Sequence, residues 1–104
     1  MVKIPEPIEF EWDKGNRDKN YQKHRVSNQE AEEVFSSVPV FVFFDAKHSA
    51  SEKRYMIWGL TENRRNLAIF FTIRDNRIRV ISARDLSREE RKAYEEKTQA
   101  NSGV

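Results

Sequence analysis

The chain has no cysteine, only three glycines and three prolines, and no apolar stretch approaching the roughly 20 residues that a membrane-spanning helix needs. The first absence excludes a disulfide framework, a thiolate metal site and a cysteine nucleophile, and it agrees with a reducing compartment. With no repeat and no linker-like segment, residues 1–104 read as one domain with a core over about 8–97. The opening segment, MVKIPEPIEF, has neither a basic region followed by an apolar run nor a cleavage signal, so the expectation is a cytoplasmic protein without membrane association. A large charge excess is missing too. Lys and Arg number 19 against 17 Asp and Glu, although charged residues make up 35% of the chain. Any attraction to nucleic acid therefore depends on where the charges lie.

What is present is a clear alternation of helix and strand patterns. Ile8, Phe10 and Trp12 alternate with Glu9 and Glu11, which predicts a short half-buried strand. Asp13 suits a helix N-cap, and the polar residues 14–24, anchored by Tyr21, read as a first helix. Ser27 and Glu30 form a capping box, Val26 is placed to pack on Ala31, and Ala31, Val34 and Phe35 give the stripe of a second helix over 28–36. Residues 38–44 (VPVFVFF) are apolar on both faces, as in a strand covered on both sides or lying at an interface. A polar loop, 45–53, leads to strands over 54–60 and 66–74. Asp75-Asn76 then makes a two-residue turn of the kind that tolerates positive φ, and 77–84 returns antiparallel. Ser87 and Glu90 form a second capping box opening a helix from 88 to about 97, and 98–104 read as a flexible tail. The order β-α-α-β-β-β-β-α gives an α+β class: a small antiparallel or mixed sheet with two N-terminal helices and one C-terminal helix.

The segment FEWDKGNRDKNYQKHRVSNQEAEEVF (10–35) resembles the opening of BrnT toxins: a Phe-Glu-Trp-Asp start, an Asn four residues before a Lys-His pair, then Val-Ser and a Glu-Ala-x-x-Val-Phe helix. Asp45, His48, Glu52 and Arg54 follow in the loop, then Gly59, the Arg-x-Ile-Ser-Ala-Arg strand, Glu90-Arg91 and Tyr94, so that the likeness spans 10–96. Two positions depart from it. Arg25 stands where the family usually has a glycine that ends the first helix in left-handed conformation, and Asn28 replaces an aromatic residue. The resemblance implies a RelE-like fold and an endoribonuclease that arrests translation. It also implies a BrnA-like antitoxin with a ribbon-helix-helix domain, RNA as substrate, and operator DNA contacted only through the toxin–antitoxin complex.

Cleaving RNA without a metal requires a base near the 2′-hydroxyl, cations for the phosphorane oxygens and an acid for the leaving 5′-oxygen. Lys23 and His24 lie together at the end of the first helix, with Asn20 one turn earlier on the same face. His24 fits base or acid and Lys23 fits a phosphate ligand, yet both also fit a helix C-terminus facing its own dipole. Alternation places Arg77, Arg79, Ile81 and Ala83 on one strand face and Ile78, Val80 and Ser82 on the other. Arg79 and Arg84 are assigned with Lys23 and His24 to catalysis. Arg74, Thr72, Arg54, Tyr55, Tyr94 and Asn20 are assigned to substrate binding. Asp45, His48 and Glu52 are spaced too loosely to read as a metal site, so neither metal nor cofactor is expected. The same arginines also fit a domain that binds RNA or DNA without chemistry, and the run 38–44 fits a surface for docking a protein.

Overall fold

A computed structural model describes residues 4–101. Its centre is a four-stranded antiparallel meander of β1 (Phe41–Phe44), β2 (Tyr55–Leu60), β3 (Asn66–Arg74) and β4 (Arg77–Asp85), in that spatial order. Two short helices, α1 (Lys19–His24) and α2 (Asn28–Phe35), precede the sheet, and α3 (Arg88–Asn101) follows it. The class is α+β. Asp75 and Asn76 both take positive φ (48° and 64°), as a tight hairpin demands of its central pair. Residues 98–101 continue α3 beyond the expected end of that helix, and 102–104 lie outside the described residues.

The sheet is apolar on both sides, which accounts for the apolar run from Val40 to Phe43; the strand expected over 38–44 shortens to Phe41–Phe44, and Val38 and Phe44 at the ends of the run are exposed, 88% and 50%. One face, with Ile57, Leu67, Ile69, Phe71, Ile78, Val80 and Ala83, packs under Val26 and the Ala31, Val34 and Phe35 stripe of α2. Phe35 sets its ring edge-on to Phe71 at 5.0 Å and to Phe10 at 5.2 Å. The approach of α2 to β2 is so close that a Cβ on Gly59 would lie 2.5 Å from Ser37 Oγ and 2.9 Å from Val34 Cγ1. The other face gathers Trp58, Ala68, Leu86 and Tyr94, with Phe41, Phe43, Met56, Leu60 and Phe70 packed against them. Both capping boxes form. Ser27 Oγ accepts from Glu30 N–H at 3.1 Å while Glu30 Oε1 accepts from Ser27 N–H at 3.0 Å, and Ser87 and Glu90 repeat the exchange at 3.1 and 2.8 Å.

The β3–β4 register corrects the expected distribution of arginines. Phe70 pairs with Ser82 and Phe71 with Val80, so Ile81 is an extra residue that has no partner. Such a bulge reverses the alternation after it. Ala83 therefore joins Ile78 and Val80 in the core. Arg84, opposite Ala68, moves to the face that carries Arg79, opposite Thr72.

The expected first strand reduces to one parallel bridge, Phe10 to Ile78, in which Glu11 N–H donates to Ile78 O and Ile78 N–H donates to Glu9 O, each at 2.8 Å. It stops there because the chain turns at Asp13. The carbonyl of Asp13 accepts from Asn16 and Arg17 N–H, and its Oδ1 accepts from Gly15 N–H at 2.7 Å. Asp13 thus caps a turn, and the first helix starts only at Lys19. From that turn the polar segment closes the free edge of β4: Asn16 Nδ2 donates to Val80 O at 3.0 Å, and Asn20 Oδ1 accepts from Ala83 N–H at 3.0 Å.

Arg25 ends α1 at φ 55°, ψ 35°, with Val26 N–H donating to Asn20 O and Arg25 N–H to Tyr21 O, the paired bonds of a left-handed helix stop. An arginine there adopts a conformation that costs a side chain roughly 1–2 kcal/mol. Arg25→Gly should raise stability in urea unfolding by about 1 kcal/mol once the added freedom of the unfolded chain is subtracted. A loss would show that the stacking of Arg25 on the Tyr21 ring, at 5.4 Å, outweighs the strain.

Candidate active site

Where the β3–β4 hairpin meets the start of α1 and the loop before β2, the chain encloses a polar cleft of about 220 Å³. Lys19 comes from α1, Glu52 and Arg54 from the loop, Thr72 and Arg74 from β3, Arg79 from β4, and Gly15 and Asn16 from the Asp13 turn. Thr72 is 1% exposed, and its Oγ1 is buried without a hydrogen-bond partner. A buried hydroxyl left unpaired costs free energy and calls for a partner.

The arginines are held by carboxylates. Arg79, its side chain only 15% exposed, is clamped by Asp13 at 2.7 and 3.0 Å and by Glu11 at 2.9 Å. A Cβ on Gly15 would stand 2.7 Å from Arg79 Nη2, so the bare glycine leaves the guanidinium its place. Arg74 is bound by both oxygens of Glu52, at 2.8 and 3.0 Å. Lys19 and Arg54 make no side-chain hydrogen bond or ion pair among the described residues.

These pairs set the protonation state. The hydrogen bond from Arg74 holds the Glu52 carboxyl below its ordinary value, and the hydrogen bond from Arg79 does the same for Asp13. Arg65 lowers Asp85 and Arg84 lowers Glu90, again chiefly by direct hydrogen bonding. A carboxyl whose folded value lies below its unfolded one adds stability that is fully present above the unfolded value and fades as pH falls toward the folded one. The melting temperature should therefore hold above about pH 4.5 and fall steadily below about pH 4. A melting temperature unchanged from pH 7 to about pH 3 would contradict this.

Of the residues assigned to catalysis from sequence, Arg79 lies in the cleft. Lys23, His24 and Arg84 lie toward the other end of β4; because of the bulge, Arg84 and Arg79 stand opposite Ala68 and Thr72, four residues apart on β3, about 13 Å along a strand. Lys23 is exposed and His24 half-buried. The His24 carbonyl accepts from Arg65 Nη2 at 3.0 Å and the Arg25 carbonyl from Arg65 Nη1 at 2.7 Å, while the same guanidinium grips Asp85 at 2.7 and 3.0 Å. Arg84 is bound bidentately by Glu90 at 2.7 and 3.1 Å.

Of the residues assigned to substrate binding, Arg54, Thr72 and Arg74 line the cleft with Arg79. Asn20 is buried, with its carbonyl oxygen engaged at the sheet edge. Tyr55 packs between Phe44 and Phe71. Tyr94 is 4% exposed and donates its hydroxyl to Pro39 O at 2.7 Å, and burial pushes its ionisation up. In the loop, His48 Nδ1 lies 2.9 Å from Asp45 Oδ2 while Glu52 turns away to Arg74. Sequence reasoning missed Lys19, which looks like any charge on a polar helix, and Arg65, which stands in what reads as a plain turn.

No helix among the described residues is long and apolar enough to cross a membrane. No match was found among curated proteins. Residues 12–90 match the family described as the ribonuclease toxin, BrnT, of type II toxin–antitoxin systems, an interval that contains the Asp13 turn, both short helices, the whole sheet and every residue of the cleft. The chain belongs to the BrnT family of ribonuclease toxins.

Proposed function

We propose that the chain is an endoribonuclease whose reaction centre is the cleft around Thr72, and that it cuts RNA by attack of a 2′-hydroxyl on the adjoining phosphorus. The observation that carries this reading is the buried, unpartnered Thr72 hydroxyl among Lys19, Arg54, Arg74 and Arg79. A phosphate entering there gives the hydroxyl an acceptor and gives the free Arg54 and Lys19 a counter-charge. Glu52 is kept ionised by the Arg74 hydrogen bonds, which also lower its basicity, so it takes the 2′-hydroxyl proton as Arg74 shifts its hold to the phosphate. Arg79 and Arg54 stabilise the charge that builds on the phosphorane oxygens, and their fixed positions make that stabilisation effective. The 2′-oxygen–phosphorus bond forms, the bond from phosphorus to the 5′-oxygen breaks, and the Lys19 ammonium supplies a proton to the leaving oxygen. The products are a 2′,3′-cyclic phosphate and a 5′-hydroxyl end.

In this reading Lys23 and His24 hold the RNA strand beyond the scissile phosphate, and Asn20 positions α1 so that Lys19 faces the cleft. Guanidinium and ammonium groups supply the positive charge here, so the reaction needs no metal ion. The resemblance supports the remaining steps: arrest of translation in the cytoplasm, neutralisation by a BrnA-like ribbon-helix-helix antitoxin, and repression of the shared operon by the complex. Incubating the purified chain with single-stranded RNA in excess EDTA should yield 5′-hydroxyl fragments. Activity lost on chelation would overturn the metal-independent step, and binding without cleavage would leave a nucleic-acid-binding domain in place of an enzyme.

A further inference from the structure

The bulge at Ile81 places more than arginines on the cleft's side of the sheet. On β3, Phe70 sits two residues before Thr72 and so on the same face, with Ser82 opposite it on β4 and Met56 opposite it on β2. Met56 in turn faces Phe43 on β1. Phe70, Met56 and Phe43 each remain partly exposed, although α3 lies on this side: its buried anchor, Tyr94, packs on Phe41, and Lys97 Nζ lies 5.8 and 5.6 Å from the Phe41 and Phe43 ring centroids. An apolar strip ending in the Phe70 ring thus runs up to the edge of the cationic cleft.

Arg84 completes it. Its guanidinium lies over the Phe70 ring, 5.5 Å from the centroid. Nη1 and Nη2 donate to Glu90 at 2.7 and 3.1 Å, and Nη1 also donates to the Asp85 carbonyl at 3.2 Å. Glu90 is itself fixed by the capping box with Ser87. Held at these points over the Phe70 ring, the Arg84 guanidinium presents a rigid planar face. Phenyl rings and guanidinium planes are the surfaces on which unpaired nucleobases stack.

We propose that Phe70 and Arg84 form a seat for one nucleobase of single-stranded RNA, next to the phosphate held at Thr72. The proposal rests on the ribonuclease reading of the cleft. Continuity of the face with the cationic cleft selects RNA as the occupant: a strand whose phosphate lies at Thr72 passes its neighbouring base over Phe70. The half-exposed Ser82 places a hydroxyl beside that base, within reach of its edge.

The test is binding of a short, uncleavable 2′-O-methyl RNA of mixed sequence to the intact chain across a salt series. Phe70→Leu should weaken binding by roughly 5- to 150-fold, the equivalent of one lost base stack. The slope of log affinity against log salt should stay as in the wild type, because no phosphate contact is removed. Phe70→Trp should restore affinity. Arg84→Lys, which keeps the charge and removes the plane, should show a loss of the same kind and serves as the second variant if Phe70→Leu folds poorly. Wild-type affinity in both Phe70→Leu and Arg84→Lys would overturn the proposal, as would a salt slope that falls with the affinity. Unchanged RNA binding with lost antitoxin binding would assign the face to the protein partner and overturn it as well. If the wild-type chain shows no salt-dependent RNA binding at all, the ribonuclease reading itself fails.

Discussion

Replacing Arg79 with alanine is expected to slow RNA cleavage by roughly a hundred- to a thousandfold, the usual cost of removing one fixed donor to a developing oxyanion. Arg79 is only 15% exposed and is aimed into the cleft by three carboxylate contacts, from Asp13 and Glu11. Its loss removes a cation from the phosphorane. It also leaves two carboxylates beside the incoming phosphate without their counter-charge, so repulsion adds to the missing attraction. Lysine should not rescue, because a single ammonium cannot reproduce the two-pronged grip on Asp13 that fixes the guanidinium plane. Single-turnover rates on saturating RNA measure the effect, and thermal melting shows whether the fold survives. A rate within about threefold of wild type would remove Arg79 from the chemistry.

The second large effect is on stability. Asn16 is 3% exposed and makes three hydrogen bonds: Nδ2 donates to Glu11 O at 2.8 Å and to Val80 O at 3.0 Å, and Oδ1 accepts from Asp13 N–H at 2.8 Å. It ties the N-terminal segment to the edge of β4 and sets the Asp13 turn. Alanine would leave partners in a buried region unsatisfied, at a cost of about 3 kcal/mol. Because Asp13 and Glu11 hold Arg79, the same change should lower activity under conditions in which the protein is still folded. Urea unfolding reads the stability directly. A loss below about 1 kcal/mol would mean that water or a shifted backbone replaces those bonds.

Asn16 also shows where the sequence is a poor guide. Within KGNRDKNYQKH it reads as one more polar residue of a solvated helix, and so does Asn20. Both are buried, because a sheet edge needs donors and acceptors, and a side-chain amide supplies each. Nothing local marks that need; it exists only once β4 has formed. The bulge at Ile81 is hidden for a similar reason, since no glycine marks it and strict alternation is the natural reading of RIRVISAR. By contrast, the capping boxes at Ser27 and Ser87 and the turn at Asp75-Asn76 depend on neighbours in sequence, and they appear where those neighbours place them. The site divides along the same line. Thr72, Arg74 and Arg79 sit on one hairpin, so their convergence follows from strand pairing. Glu52 and Lys19 reach the cleft from elements distant in sequence, and only the folded chain brings them there. His24 and Lys23 adjoin the β4 edge through α1 but at its far end, toward Arg65 and Asp85.

The cleft at Thr72 is the centre of this account, and Arg54 tests it most cleanly, because its side chain has no ion pair among the described residues whose loss would disturb the fold. The measurement is the single-turnover rate of RNA cleavage by Arg54→Ala and His24→Ala, taken side by side with the wild type. The account predicts a fall of roughly a hundredfold for Arg54→Ala and a change within about tenfold for His24→Ala. A large fall for His24→Ala with Arg54→Ala near the wild-type rate would place the reaction at the other end of β4 and contradict it.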